Sequence, residues 1–314
     1  MSEPASYPPP LPAPLYQGSV NTWECDDGGH LNVRFHLERM MIGLAHFARA
    51  LEMPHAFTKT AGATLVPLEA HLRFLKEARP GAPLVMHGGV ADISENQATL
   101  CLDMRHANGA PGTACTLRVA HADTRGFRAF PWSERSRAAA KRLSIKLPQH
   151  AAPRSLDPAT APTTEASRDR AIALGAARIG ATIVNRDQCD VFGRLRGEHF
   201  IGRVSDSVPN LMAGWRRDAG AANNVEAAGA VVEARLVFRR FPQAGDLIEI
   251  YTGVAAVGDK TFRLVHWLCD PESGGVWASM EAVALTFDTK TRKAIQGTPE
   301  QRAKMQARVI AMQV

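Results

Sequence analysis

Apolar and polar positions along the chain change period in the same order twice. The first round opens with a short β-like run from Ser19 to Glu24 and a glycine-containing turn. A helical stretch follows, with Phe35, Leu37, Met40, Met41, Leu44, Phe47, Ala48 and Leu51 recurring at three-to-four spacing. Four alternating or apolar runs then predict strands over Glu69 to Lys76, Leu84 to Ile93, Thr99 to His106 and Thr113 to Ala122. The second round repeats this with a β-like run from Ala181 to Arg186 and a helical stripe of Phe200, Ile201, Val204, Val208, Leu211, Met212 and Trp215. Pro209 is expected to kink or end that helix, because proline lacks the N–H and crowds the preceding turn. Its strands are expected over Glu233 to Arg240, Leu247 to Val257, Phe262 to Cys269 and Val276 to Phe287, and Pro299 to Met312 can form a terminal helix.

The two rounds share residues as well as rhythm. A shift of 164 positions places Val184, Asn185, Cys189, Asp190, Gly193 and Leu195 on Val20, Asn21, Cys25, Asp26, Gly29 and Leu31. The same frame puts Arg203 on Arg39, Glu233 on Glu69, Leu236 on Leu72 and Gly253 on Gly89. A match held in one frame over such a length marks an internal duplication. One strand, one long helix and an antiparallel meander per copy predict an α+β unit in which the helix covers one face of the sheet.

Composition adds boundaries to this picture. With 45% hydrophobic and 22% charged residues among 314, the chain is globular and long enough for two cores. We expect a proline-rich tail over residues 1–15, a first domain over 16–132, a linker over 133–178, a second domain over 179–298 and a C-terminal tail over 299–314. Pro148, Pro153, Pro158 and Pro162 argue against regular structure over much of the linker. No run approaches 18 uninterrupted apolar residues, and the N-terminus lacks a basic region followed by an apolar one; a cytoplasmic protein that neither crosses nor sits on a membrane is expected. Five cysteines without a CxxC pair suggest reduced thiols and no zinc site. The net charge of +6 is modest, and part of it lies in Arg135, Arg137, Lys141, Arg142 and Lys146. That stretch reads as a solvated face, or as a weak attractor of an anionic ligand, and not as a nucleic-acid groove.

Candidate chemistry sits between the first strand and the first helix, in Asp26-Asp27-Gly28-Gly29-His30-Leu31-Asn32. From the residues alone, Asp26 is either a turn former or a carboxylate beside a helix N-terminus, whose unpaired N–H groups favour developing negative charge. Gly28 and Gly29 permit a tight turn and close approach, and Asn32 suits the helix N-cap. His36, Glu38 and His46 on the helix are weaker candidates for a pocket lining. No His/Cys/Asp/Glu spacing suggests a metal.

The pattern D-x-x-G-H-x-N ahead of a long helix and a meander resembles the hotdog fold of the 4-hydroxybenzoyl-CoA thioesterase family. The resemblance covers about Val20 to Pro131 and Ile183 to Ile295. It implies two tandem hotdog units paired as an intramolecular pseudo-dimer, and hydrolysis of an acyl-CoA thioester. It implies that Asp26 is the nucleophile or general base, and that the backbone N–H of Val33 polarises the thioester carbonyl. His30 would orient the carboxylate, contact the acyl group or pack the loop, and Asn32 would cap the helix. Gly29 and its equivalent Gly193 would line the substrate's approach. No cofactor is implied beyond coenzyme A as part of the substrate. A homodimer supplying four hotdog units is the partner that the resemblance suggests.

The second copy departs from the pattern, with Arg194, Arg196 and Gly197 where the first has His30, Asn32 and Val33. Asp190 could act with the Gly197 N–H, yet the arginines would hold it as an ion pair. One competent site at Asp26 is therefore expected, with the Asp190 site degenerate or recruited to bind coenzyme A phosphates through Arg194 and Arg196. Two working sites, an acyl-CoA hydratase or dehydratase, and a non-catalytic acyl-CoA binding module are the alternatives.

Overall fold

The computed structural model describes residues 11, 13–219 and 227–314, so the expected proline-rich tail lies largely outside the described residues. The chain divides into two compact units. Of the described residues, one gathers those up to Leu31 with Glu38–Pro67 and Leu75–Ala152, and the other gathers those of Asn32–Leu37, Leu68–Phe74 and Pro153–Val314.

Along the first copy of the repeat, β1 (Tyr16–Ser19) leads to a 3-10 turn (Thr22–Glu24) and then to α1 (Val33–Ala50). Strands β2 (Ala63–Phe74), β3 (Pro83–Ile93), β4 (Gln97–His106) and β5 (Pro111–Asp123) follow, in the sheet order β1-β3-β4-β5-β2. The apolar stripe of α1 is buried at Met40, Leu44, Phe47 and Ala48, as the three-to-four spacing requires. Gly43 lets the helix approach the sheet, since a Cβ there would run into Met86.

The second unit repeats the plan with β6 (Ala177–Ile183), α4 (Glu198–Ala219), β7 (Ala227–Phe238), β8 (Leu247–Val257), β9 (Thr261–Cys269) and β10 (Val276–Asp288), after α2 (Glu134–Arg142) and α3 (Arg168–Ala173) earlier in the chain. Its sheet runs β7-β10-β9-β8-β6, and the Leu68–Phe74 part of β2 lies antiparallel beside β7. A β-bulge recurs at equivalent places, between Val90 and Asp92 and between Val254 and Ala256. Each unit is thus a long helix with an antiparallel meander, the hotdog arrangement. No helix among the described residues is long and apolar enough to cross a membrane.

Several local expectations need correction. The run from Ser19 to Glu24 is a strand only at its start, and Ala181 to Arg186 behaves likewise. Asn21 and Asn185 each open a capping box with the third residue on, Glu24 or Gln188, which winds the chain into a 3-10 turn. Arg39 fastens the first turn by donating to Ser19 O (3.1 Å) and Glu24 Oε2 (2.8 Å). Its equivalent Arg203 donates to Ile183 O (3.0 Å) and Gln188 Oε1 (2.7 Å).

The segment from 133 onward is less irregular than its prolines suggest. Ser133 accepts the Ser136 N–H and caps α2, after which Ser144 bridges in parallel to Val90. Thr298 caps α5 (Pro299–Gln306) in the same way, and Val309 then bridges to Val254. The terminal helix ends at Gln306 and not at Met312, because the chain turns back to bury Met312 among Tyr251, Val265 and Trp267. The basic residues of α2 are partly engaged: Arg135 and Arg142 lie 2.6 and 3.7 Å from the Glu52 carboxylate.

α4 runs through Pro209 without ending there. Burial of Phe200, Ile201 and Val204 on one side and Leu211 on the other offsets the missing hydrogen bond. Pro209 itself is exposed. Pro209→Ala is expected to raise stability by up to about 3 kcal/mol in urea unfolding; an unchanged midpoint would show that the helix has relaxed around the ring.

The β2–β7 pairing carries a buried polar network. His71 faces Arg235 across the register, and these positions are equivalents in the repeat. Glu69 takes the Arg235 guanidinium at 2.8 and 3.2 Å, while its equivalent Glu233 lies 2.8 Å from His71 Nε2. Residues 154–160 close over both pairs. The Arg154 and Ser155 N–H groups donate to Glu233 at 2.9 and 2.8 Å, and Arg235 donates to the carbonyls of Asp157, Pro158 and Thr160.

Candidate functional site

The turn that holds Asp26 closes on itself through an antiparallel bridge between Cys25 and Leu31. Asp26 N–H donates to His30 O (2.9 Å), and Gly29 takes φ +72°, a left-handed conformation in which any side chain would be strained. One carboxylate oxygen builds the turn: Oδ1 accepts from the N–H groups of Gly28 (3.0 Å) and His30 (3.1 Å). The other, Oδ2, has no hydrogen-bond partner among the described residues, and the side chain is 42% exposed. Asp26 is thus a turn former and an available carboxylate together, one oxygen serving each role.

His30 is turned between two carboxylates. Its Nδ1 is 3.9 Å from Asp26 Oδ1 and its Nε2 is 3.1 Å from Glu77 Oε2, with the imidazole itself largely covered. Because a carboxylate only accepts, the contact with Glu77 places a proton on Nε2. Gly28 keeps the space beside this pair open, since a Cβ there would lie 3.1 Å from His30 Nδ1 and 3.2 Å from Asp26 Oδ1.

The chain runs from this turn straight into α1. Asn32 is the N-cap: its Oδ1 accepts the Arg34 N–H (3.0 Å), its carbonyl accepts from Phe35 and His36, and its amide donates to Ser205 Oγ (3.0 Å). Val33 is the first helical residue, where backbone N–H groups have no intrahelical acceptor. His36 is buried edge-on against Phe74, Glu38 is half-buried and His46 is exposed.

The second copy builds the same turn and fills it differently. Gly193 takes φ +83°, and Asp190 Oδ1 accepts from the N–H groups of Phe192 (2.9 Å) and Arg194 (3.0 Å). Here Oδ2 is also occupied, by Arg194 Nε at 3.0 Å and a terminal guanidinium nitrogen at 2.8 Å. The guanidinium lies 5.2 Å from the rings of both Phe192 and Phe241. Burial lowers the Arg194 pKa from the ordinary arginine value, against the pull of the Asp190 charge and hydrogen bond.

Arg196 lies apart from Asp190: its Nε is 3.2 Å from Glu198 Oε1, and a terminal nitrogen is 3.0 Å from His199 Nε2. His199 is pushed down to about 3, first by burial and then by the charges of Arg34, Arg196 and Arg203. Gly197 precedes α4 and its carbonyl accepts from Phe200.

Glu77 escaped the reading of the sequence, although a signal for it exists. In the repeat register His30, Gly28 and Glu77 become Arg194, Phe192 and Phe241, a joint replacement of three residues that meet in space in each copy. No cluster of three or more metal-ligating side chains occurs among the described residues.

Comparison with known proteins agrees with this duplicated plan. A family model described as the thioesterase-like superfamily matches residues 20–140 and again 184–309. No protein among those of curated function matches the chain. Among solved structures, the 12:0-ACP thioesterase from Umbellularia californica is similar with a TM-score of 0.63 at 13% identity, covering 86% of this chain and 93% of that one. An acyl-ACP thioesterase from Bacteroides thetaiotaomicron has a TM-score of 0.62 at 10% identity, covering 86% and 96%. At such identities the likeness shows a shared fold.

Proposed function

Because the chain belongs to the thioesterase-like superfamily, we propose that it hydrolyses an acyl-coenzyme A thioester and that Asp26 carries the reaction. Family and fold support a thioester hydrolase; the acyl-CoA substrate and the residue roles are our reading. The observation that carries it is the open Oδ2 of Asp26, on a turn that leads directly into the start of α1.

Hydrolysis needs a group that attacks the carbonyl or takes a proton from water, and donors for the oxyanion that develops. Asp26 supplies the first through Oδ2, while Oδ1 stays fixed by two N–H groups. The Val33 N–H supplies the second, aided by the positive end of the helix dipole. The oxygen of water bonds to the carbonyl carbon as Oδ2 takes its proton, the carbonyl–sulfur bond then breaks, the proton passes from Oδ2 to the departing thiolate, and the free acid remains. Glu77 acts through His30 by holding the ring. Glu77→Ala is expected to lower kcat several-fold to tenfold at little change in KM, because ring orientation matters in the transition state and not for initial binding. A rise in KM alone would show that Glu77 contacts substrate.

Thiol release from short, medium, branched and aromatic acyl-CoAs, and from the same acyl groups on a carrier protein, tests the reading. Release from a coenzyme A thioester supports it. Release only from carrier-bound substrates replaces the substrate class, and no release from either overturns the hydrolase.

A further inference from the structure

We infer that the second copy's carboxylate is shut by its own chain, so that each chain has one reacting centre and Arg194 is the residue that closes the other. This goes beyond the assignment of Asp26, since it concerns what the duplicated turn has become. An ionised carboxylate offers roughly four acceptor directions. At Asp26 two of these are filled by backbone N–H groups and Oδ2 is open. At Asp190 two are filled by the equivalent N–H groups and two more by Arg194, which leaves no lone pair for water or a thioester carbonyl.

The closure is built to last. The Arg194 side chain is only 6% exposed, against 25% for Asp190, and its guanidinium has an aromatic ring at 5.2 Å on Phe192 and another on Phe241. The Arg194 backbone is pinned as well, by a bridge to Gln243. Opening the site would strip a cation of the one carboxylate oxygen that accepts two of its N–H groups and of two ring contacts together.

The three closing residues occupy the positions of the residues that keep the first site open. Phe192 replaces the glycine that leaves room between carboxylate and imidazole, Arg194 replaces the histidine, and Phe241 replaces the glutamate that holds it. The arrangement also withdraws Arg194 from any part in binding coenzyme A phosphates, one of the roles that its charge alone suggests.

The test is residue-resolved coupling of glycine ethyl ester to the carboxylates of the intact protein with a water-soluble carbodiimide, followed by peptide mass spectrometry. Asp26 is expected to label at least about tenfold faster than Asp190, because a bidentate guanidinium blocks the oxygen that must attack the reagent. Arg194→Gln and Arg194→Lys should each bring Asp190 to within a few-fold of Asp26, with Asp26 labelling and the melting temperature as controls for folding. Two variants are used because removing a buried guanidinium can unfold the turn, and the lysine keeps the charge while losing the fork. Asp190 labelling as fast as Asp26 in the wild type overturns the inference, and so does an Asp190 that stays protected in a folded variant. Since labelling needs no turnover, this result stands apart from whether the chain hydrolyses a thioester.

Discussion

Replacing Glu233 by alanine is expected to lower stability by about 3–5 kcal/mol at neutral pH, the cost of breaking a buried pair and stranding its partner. Glu233 is 1% exposed and accepts from His71 Nε2 and from the N–H groups of Arg154 and Ser155, with the Leu156 N–H at 3.4 Å. Alanine would leave the His71 ring and these N–H groups buried without their acceptor. Urea unfolding at neutral pH checks this, and a loss below about 1 kcal/mol would mean that water replaces the carboxylate.

The same residue sets a dependence on acid. Burial is the largest single influence on Glu233 and by itself raises its pKa. The His71 hydrogen bond, the N–H groups of Arg154 and Ser155, and the His71 charge together outweigh it and bring the pKa down to about 2, from an ordinary 4.5. A carboxylate lowered on folding stabilises fully above its unfolded value. That contribution, about 3 kcal/mol, is therefore present above pH 4.5 and fades as pH falls from 4.5 toward 2. Glu233→Ala should flatten stability across that window.

Asp26→Asn is expected to reduce thiol release by about 100- to 10,000-fold, the range over which a positioned acid–base group contributes. Asparagine keeps an oxygen at Oδ1, so the N–H groups of Gly28 and His30 retain their acceptor and the turn persists. What is lost is the ionised Oδ2. The substitution therefore separates the two roles of Asp26, and an unchanged melting temperature beside a collapsed rate is its signature.

The duplicated α+β plan was legible because helix and strand periods and the 164-position register agree over each copy. The Asp26 turn was legible too, since glycines and a cap residue at fixed offsets leave the backbone few alternatives. Boundaries were harder. The 3-10 turns after β1 and β6 depend on Arg39 and Arg203 reaching back from the helices, contacts that no local window contains. Pro209 does not end its helix, because the penalty of a proline is local, while the burial that offsets it comes from residues up to nine positions away. The helix α2 was hidden among the prolines of the linker, although Ser133 offered a cap, whereas α5 was expected from Pro299 and only its end was misplaced.

In the site, the sequence suggested that Asp190 would be held by arginine. It did not show that Arg194 alone does so while Arg196 turns to Glu198. Glu77 lies 47 positions beyond His30, and only the folded chain brings the two to 3.1 Å. The β2–β7 network was likewise invisible, because it joins residues more than 160 positions apart with a covering segment from neither strand.

The account rests most on Asp26, and the measurement that reaches it most directly is kcat/KM for thiol release by the wild type and by Asp26→Asn on the best acyl-CoA of the panel, with the melting temperature of both recorded. A folded Asp26→Asn protein that has lost at least about 100-fold in kcat/KM is the predicted result. A folded variant that releases thiol as fast as the wild type would contradict the account.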